Sequence, residues 1–127
     1  MVSDGYLDRS ILATMKYNAT LSHWFLRLLS DKGKLKRFYS TNIDGLDFQI
    51  GLNEDKICSV HGTLAKAHCI KCDDFVDMKW FRNLVQLEKY PIICPKDNCD
   101  GYVKPDTVLY GQALPNDIMT WYPNKRI

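Results

Sequence analysis

Residues 68–103, HCIKCDDFVDMKWFRNLVQLEKYPIICPKDNCDGYV, carry two short-spaced cysteine pairs, Cys69-x2-Cys72 and Cys94-x4-Cys99, separated by a helix-length insert. Each pair forms a tight knuckle presenting two thiolates, and two knuckles brought together make a tetrahedral site for one zinc ion. Four sulfurs leave no open position for water, so such a metal holds a fold and does not catalyse. Between the knuckles, Met78, Phe81, Leu84, Val85 and Leu87 predict an amphipathic helix packed over the metal, with Pro91 and Pro95 closing it off. His68 is an alternative ligand beside Cys69, but a half-exposed strand histidine is the simpler reading. The fifth cysteine, Cys58, lies in an apolar run and reads as a small core residue.

Upstream of this unit the pattern changes. Leu21, Phe25, Leu28 and Leu29 share one face of a predicted helix, with Thr20 as its N-cap and Gly33 as its stop. Residues 35–40 read as a strand that ends in the polar Thr41-Asn42. Leu46 and Ile50 suit a short helix ended by Gly51, and residues 57–60 form a second strand that delivers His61. A helix, a turn and a strand with polar residues at its carboxyl end make one step of a parallel α/β sheet, where ligands bind beyond the strand ends. Residues 1–17 read as irregular, although Ile11, Leu12 and Met15 have helical spacing. Downstream, Val108-Leu109-Tyr110 is expected to be a last strand before Gly111, and Pro115-Asn116 the start of a helix.

At 127 residues the chain suits one domain, and 46% hydrophobic with 25% charged residues is a globular composition. No apolar run approaches the roughly 20 residues of a membrane span, and MVSDGYLDRS is not a secretory signal. Cysteines in metal spacing suit a reducing interior better than a disulfide framework. A net charge of +2, with Lys34, Lys36 and Arg37 as the densest basic patch, argues against nucleic acid as a partner. A lone histidine is more often a satisfied core or surface group, but His61, at a strand end before a glycine, is the candidate proton acceptor, because imidazole as a class exchanges protons near neutral pH. Asn42 and Asp44 either orient a polar ligand or cap the turn before Leu46. His23, on the open side of its helix, is given no role.

Taken in order, Tyr39-Ser40-Thr41-Asn42-Ile43-Asp44-Gly45-Leu46, His61-Gly62-Thr63, the two cysteine pairs, Gly101-Tyr102-Val103-Lys104-Pro105-Asp106 and Tyr110-Gly111-Gln112-Ala113-Leu114-Pro115 resemble the sirtuin family of NAD-dependent protein-lysine deacylases. The likeness runs from about residue 20 to residue 115. It implies an α/β fold: an incomplete Rossmann-like parallel sheet with a small inserted zinc-ribbon-like module at 68–103, within a partial catalytic domain spanning 1–127. It implies structural Zn2+ on Cys69, Cys72, Cys94 and Cys99, and NAD+ as co-substrate. By the same likeness His61 is the general base and Asn42 positions ribose or water. Thr41, Asn42, Ile43, Asp44 and His61 face the cofactor, and Val108, Leu109, Tyr110 and Gly111 pair with an acyl-lysine peptide as an added strand. The implied products are nicotinamide and O-acyl-ADP-ribose. Acylated lysine peptides, histones among them, are the implied substrates, in a nuclear or cytoplasmic setting.

The departures are as specific as the matches. Thr41 stands where the family usually has glutamine, Ser59 where an acidic residue is common, and Gln112 where glutamate is usual. The family's glycine-rich phosphate loop and its Gly-Ile-Pro-Asp-Phe-Arg segment would precede residue 1, and its later Gly-Thr-Ser turn would follow residue 127. The expectation is therefore feeble NAD binding by these residues alone. The alternative function is a catalytically inactive remnant, a zinc-stabilised module that binds peptides or a protein partner.

Overall fold

A computed structural model describes residues 5–109 and 111–114. The elements are α1 (Gly5–Ala13), α2 (Leu21–Asp31), β1 (Phe38–Ser40), 3-10 turns at Leu46–Ile50 and Glu54–Lys56, β2 (Ile57–Ser59), β3 (Gly62–Cys69), α3 (Met78–Gln86) and β4 (Val103–Thr107). The architecture is mixed α/β. β1 and β2 pair in parallel, Phe38 opposite Ile57 and Ser40 opposite Ser59, while β3 and β4 form an antiparallel ribbon.

The parallel pair has a small core of its own, Ile50, Leu52 and Ile57, with Leu26, Leu35, Phe38 and Phe48 against it. The Leu46–Ile50 turn ends at Gly51, whose φ of +65° is left-handed. Arg27 reaches from α2 to donate to the carbonyls of Ile50 and Gly51 at 3.1 and 2.8 Å, satisfying groups that the turn leaves open. Thr20 caps α2 as expected. His23, given no role from sequence, accepts from the Thr20 amide at 3.1 Å and so helps begin the helix.

Two expectations need correction. The helical spacing of Ile11 and Leu12 reflects a real helix, α1, because Ile11 is only 2% exposed in the core beside α3. The apolar face of α2 is open: Leu21 is 88% exposed, Phe25 57% and Leu28 51%. The helix turns Arg27 and Leu26 inward, and none of its residues is fully buried. Among the described residues the last strand lies earlier than 108–110. It is Val103–Thr107, with Val103, Pro105 and Thr107 buried in alternation, whereas Val108 and Leu109 lie outside the described strands. Tyr110 and Pro115-Asn116 lie outside the described residues.

The ribbon has a built-in irregularity. Register shifts between Thr63 and Ala67, opposite Pro105, which has no N–H to give to the ladder. Released from pairing, the Leu64 amide donates to the Ile43 carbonyl at 2.7 Å, which fastens the 41–45 loop to β3. At the start of β3, Gly62 has φ +76°, and a Cβ there would stand 2.0 Å from the Asp106 carbonyl oxygen. Gly62→Ala is therefore expected to cost roughly 2–4 kcal/mol of stability from backbone strain plus the clash. Urea unfolding midpoints measure it, and a midpoint unchanged from the parent chain would count against this close backbone approach.

Candidate functional site

The larger core holds the knuckles. Leu64, Ala67, Phe81, Val85, Ile92 and Val103 pack with Ile11 around Cys69 and Cys94, and α3 lies against β3. Asp77 starts α3 by accepting from the Trp80 amide at 2.7 Å, and the predicted apolar face is borne out by buried Phe81 and Val85. Leu87, expected on that face, is past the helix end and exposed.

Each knuckle is shaped by its backbone. The Cys69 amide donates to the Asp74 carbonyl and the Asp73 amide to the Cys69 carbonyl, both at 3.0 Å, with Asp73 left-handed at φ 56°. The second knuckle turns at Asn98, φ 60°, and the Cys94 amide donates to the Gly101 carbonyl at 2.8 Å. Gly101 has to lack a side chain, since a Cβ would lie 2.4 Å from the Cys69 sulfur. Two ion pairs cross between the knuckles, Lys71 with Asp100 and Lys96 with Asp74.

The sulfurs meet as the spacing predicts. Cys69 Sγ and Cys99 Sγ are 3.7 Å apart, Cys72 Sγ and Cys94 Sγ 3.8 Å, and all four lie within 4.8 Å of one another. A tetrahedron with Zn–S bonds of about 2.3 Å puts its sulfurs about 3.8 Å apart, so the cluster fits a structural Zn2+. His68 stays out of the cluster. Its Nδ1 lies 3.2 Å from Asp106 Oδ1, close enough for an ion pair but misaligned for a hydrogen bond, and its ring meets Phe75 edge-on. Cys58 is buried on β2, as its apolar run suggested.

The protons on these sulfurs set a pH dependence. Burial pushes the Cys69 thiol up, but hydrogen bonds from the Cys72 and Lys71 amides outweigh it and bring it down to about 7. At Cys72 the Asp74 amide favours the thiolate, yet burial and the surrounding sulfurs leave it pushed up to about 12. Zinc binds thiolates, so at neutral pH Cys72 must give up a proton when metal enters, and affinity rises with pH. Competition with a chromophoric chelator is expected to show zinc affinity climbing about tenfold or more per pH unit between about pH 6.5 and 7.5. A flat profile would count against thiolate ligation.

The second cluster of candidates lies at the carboxyl ends of β1 and β2. Parallel pairing sets Thr41-Asn42 beside His61, and His61 Nδ1 is 3.2 Å from the Thr41 carbonyl oxygen. A carbonyl only accepts, so Nδ1 is the donor in this contact, and in the neutral ring Nε2 is the acceptor. Thr41, Asn42 and His61 are all exposed. Asn42 donates its amide to Ser40 Oγ at 3.2 Å, and Asp44 accepts from the Leu46 amide at 3.1 Å, so the capping role of Asp44 is real. Ile43 packs on the metal-bearing core. Asp44 and Gly45 line a cleft of roughly 440 Å³ together with Thr14, Phe48 and Arg82. The Val108 amide donates to the His61 carbonyl at 3.0 Å, which brings Val108 to the same end of the sheet. Val108, Gln112 and Ala113 border a second cleft of roughly 500 Å³ along β2.

Sequence reasoning passed over two residues here. Asp47 is 3% exposed, and burial pushes its carboxyl upward. Arg82, on α3, reaches Thr14 Oγ1 at 3.4 Å and joins α1 to the metal-bearing unit. Arg82 sits one residue from Phe81 on an amphipathic helix, and only the packing of α1 on α3 reveals its partner.

Known proteins are similar to this chain. NAD-dependent protein deacetylase sirtuin-2 of Danio rerio is 36% identical over 107 residues, 83% of this chain and 27% of that protein. NAD-dependent deacetylase sir2A of Dictyostelium discoideum is 35% identical over 79% of this chain and 20% of its own. NAD-dependent protein deacetylase HST2 of Candida albicans is 38% identical over 76% of this chain and 28% of its own. The chain thus spans about a quarter of the length of these curated relatives. A solved structure described as the structural basis of sirtuin substrate affinity matches 87% of this chain and 43% of its own, with a TM-score of 0.71 and 25% identity. The Sir2 family pattern matches residues 6–126, and with the four-sulfur cluster and the His61 strand end in place, the chain belongs to the Sir2 family.

Proposed function

We propose that these residues form the central part of the catalytic domain of an NAD-dependent protein-lysine deacylase, with 68–103 as its zinc-binding module. One observation carries the reading: the pairing of β1 with β2 sets the Thr41-Asn42 loop against His61, in a stretch shared with relatives named NAD-dependent protein deacetylases. Bound NAD would supply an electrophilic ribose carbon with nicotinamide as its leaving group. His61, held through Nδ1, offers Nε2 to take a proton from a ribose hydroxyl. Asn42 orients ribose or water at the loop tip. Ile43 and Asp44 hold the nicotinamide ring and carboxamide, on a loop fixed by the Leu64 amide. Residues 108–111 offer backbone groups to an acyl-lysine peptide, which gives affinity while reading little sequence. The products are nicotinamide, O-acyl-ADP-ribose and the free lysine. Histones are candidate substrates, and five cysteines outside disulfides suit a reducing nuclear or cytoplasmic setting. The metal takes no part in the chemistry.

A second reading, a zinc-stabilised module that binds acyl-lysine peptides or a protein partner without turnover, draws on two observations. Thr41 is too short to reach a ribose as glutamine does, and the parallel sheet has two strands among the described residues. Incubation with NAD and an acetyl-lysine peptide separates the readings. Peptide-dependent release of nicotinamide supports the deacylase, and peptide binding without any nicotinamide supports the module.

A further inference from the structure

Leu109 and Gln112 hold each other. The Leu109 amide donates to Gln112 Oε1 at 3.0 Å, and the Gln112 amide donates to the Leu109 carbonyl at 2.9 Å. Gly111, with φ +85°, supplies the left-handed residue that lets the chain reverse between them. Both backbone groups of Leu109 are therefore taken, one of them by a side chain. The Val108 amide is taken as well, by His61. A peptide that adds as a strand needs main-chain donors and acceptors free along its edge. Gln112 also borders the roughly 500 Å³ cleft with Val108 and Ala113, so its side chain lies at the margin where such a peptide would run.

We propose that Gln112 competes with the substrate: its carboxamide oxygen occupies the Leu109 amide that the carbonyl of an incoming acyl-lysine peptide would take. The inference rests on reading 108–111 as the peptide-pairing segment. Peptide entry then exchanges one neutral, exposed hydrogen bond for another, and the Gln112 side chain must swing out first. The competing contact is intramolecular and needs no ordering of a second molecule, so it weakens peptide binding without abolishing it. Leu109 is 40% exposed and Gln112 is exposed, so removing the side chain leaves the core untouched.

The test uses the 127-residue chain, loaded with zinc, and an acetyl-lysine peptide with no other charged side chain. Fluorescence anisotropy gives affinity, and amide exchange by NMR follows Leu109. Gln112→Ala is expected to bind about fivefold more tightly, the scale of one exposed neutral hydrogen bond. Its free form should exchange the Leu109 amide faster than the parent, and peptide should protect that amide in both. Gln112→Glu keeps an acceptor and should bind as weakly as the parent; affinity matching Gln112→Ala would overturn the proposal. Equal affinity of parent and Gln112→Ala, with Leu109 protected by peptide, would overturn the competition but leave the pairing segment standing. Peptide that never alters Leu109 exchange would overturn the pairing segment itself, and the proposal with it.

Discussion

Removing zinc from the reduced chain is expected to unfold everything from Gly62 to Thr107. The cluster of Leu64, Ala67, Phe81, Val85, Ile92 and Val103 is closed by Cys69 and Cys94 themselves, so the metal ligands are also core residues. A lone two-stranded ribbon is marginal in water, and among the described elements α3 packs mainly on α1 and β3. Metal binding contributes roughly 10–16 kcal/mol in small zinc modules, against a total stability of about 5–15 kcal/mol for an ordinary domain. Ile11 and Ile43 pack on the same cluster, so α1 and the 41–45 loop should loosen with it. A chelator titration followed by circular dichroism and limited proteolysis measures the loss, and Cys69→Ser should reproduce it. Unchanged spectra and cleavage after verified metal removal would retire the structural role.

What the sequence made legible depended on whether the signal was local. Cysteine spacing is local, and the four sulfurs meet at tetrahedral distances. The strand end at Ser40 was legible because polar residues follow apolar ones there; the second strand, expected over 57–60, ends one residue earlier at Ser59, and the two pair in parallel. The β3–β4 ribbon was not, since Gly62–Cys69 mixes small, polar and basic residues with no clean alternation, and Pro105 masks its partner. Apolar spacing along α2 was real, but spacing only says that a face is apolar. Whether anything covers that face is decided by the rest of the fold, and Leu21, Trp24, Phe25 and Leu28 remain more than half exposed. At the site, the Asn42 and His61 neighbourhood could be read from strand ends. The hydrogen bonds that tie Leu64 to Ile43, Arg82 to Thr14 and Leu109 to Gln112 could not, because each joins a backbone or side-chain group with no pattern of its own.

His61→Ala is the substitution expected to separate chemistry from architecture. The imidazole is exposed and its one described contact is the Thr41 carbonyl, so its loss should shift stability by no more than about 0.5 kcal/mol. Under the proposed deacylase function, acyl-lysine turnover should fall by roughly 10²–10⁴ in kcat, the usual contribution of a positioned general base. Peptide affinity should hardly change, because in the proposed function residues 108–111 and not the imidazole supply the backbone pairing. The contrast with Gly62→Ala, one residue away, is the control. That change strains the start of β3 and should lower activity together with the unfolding midpoint, whereas His61→Ala should lower activity alone. Activity measured beside urea midpoints for both variants decides the point: a folded His61→Ala protein that turns over acetyl-lysine peptide at the parent rate removes the base from the mechanism.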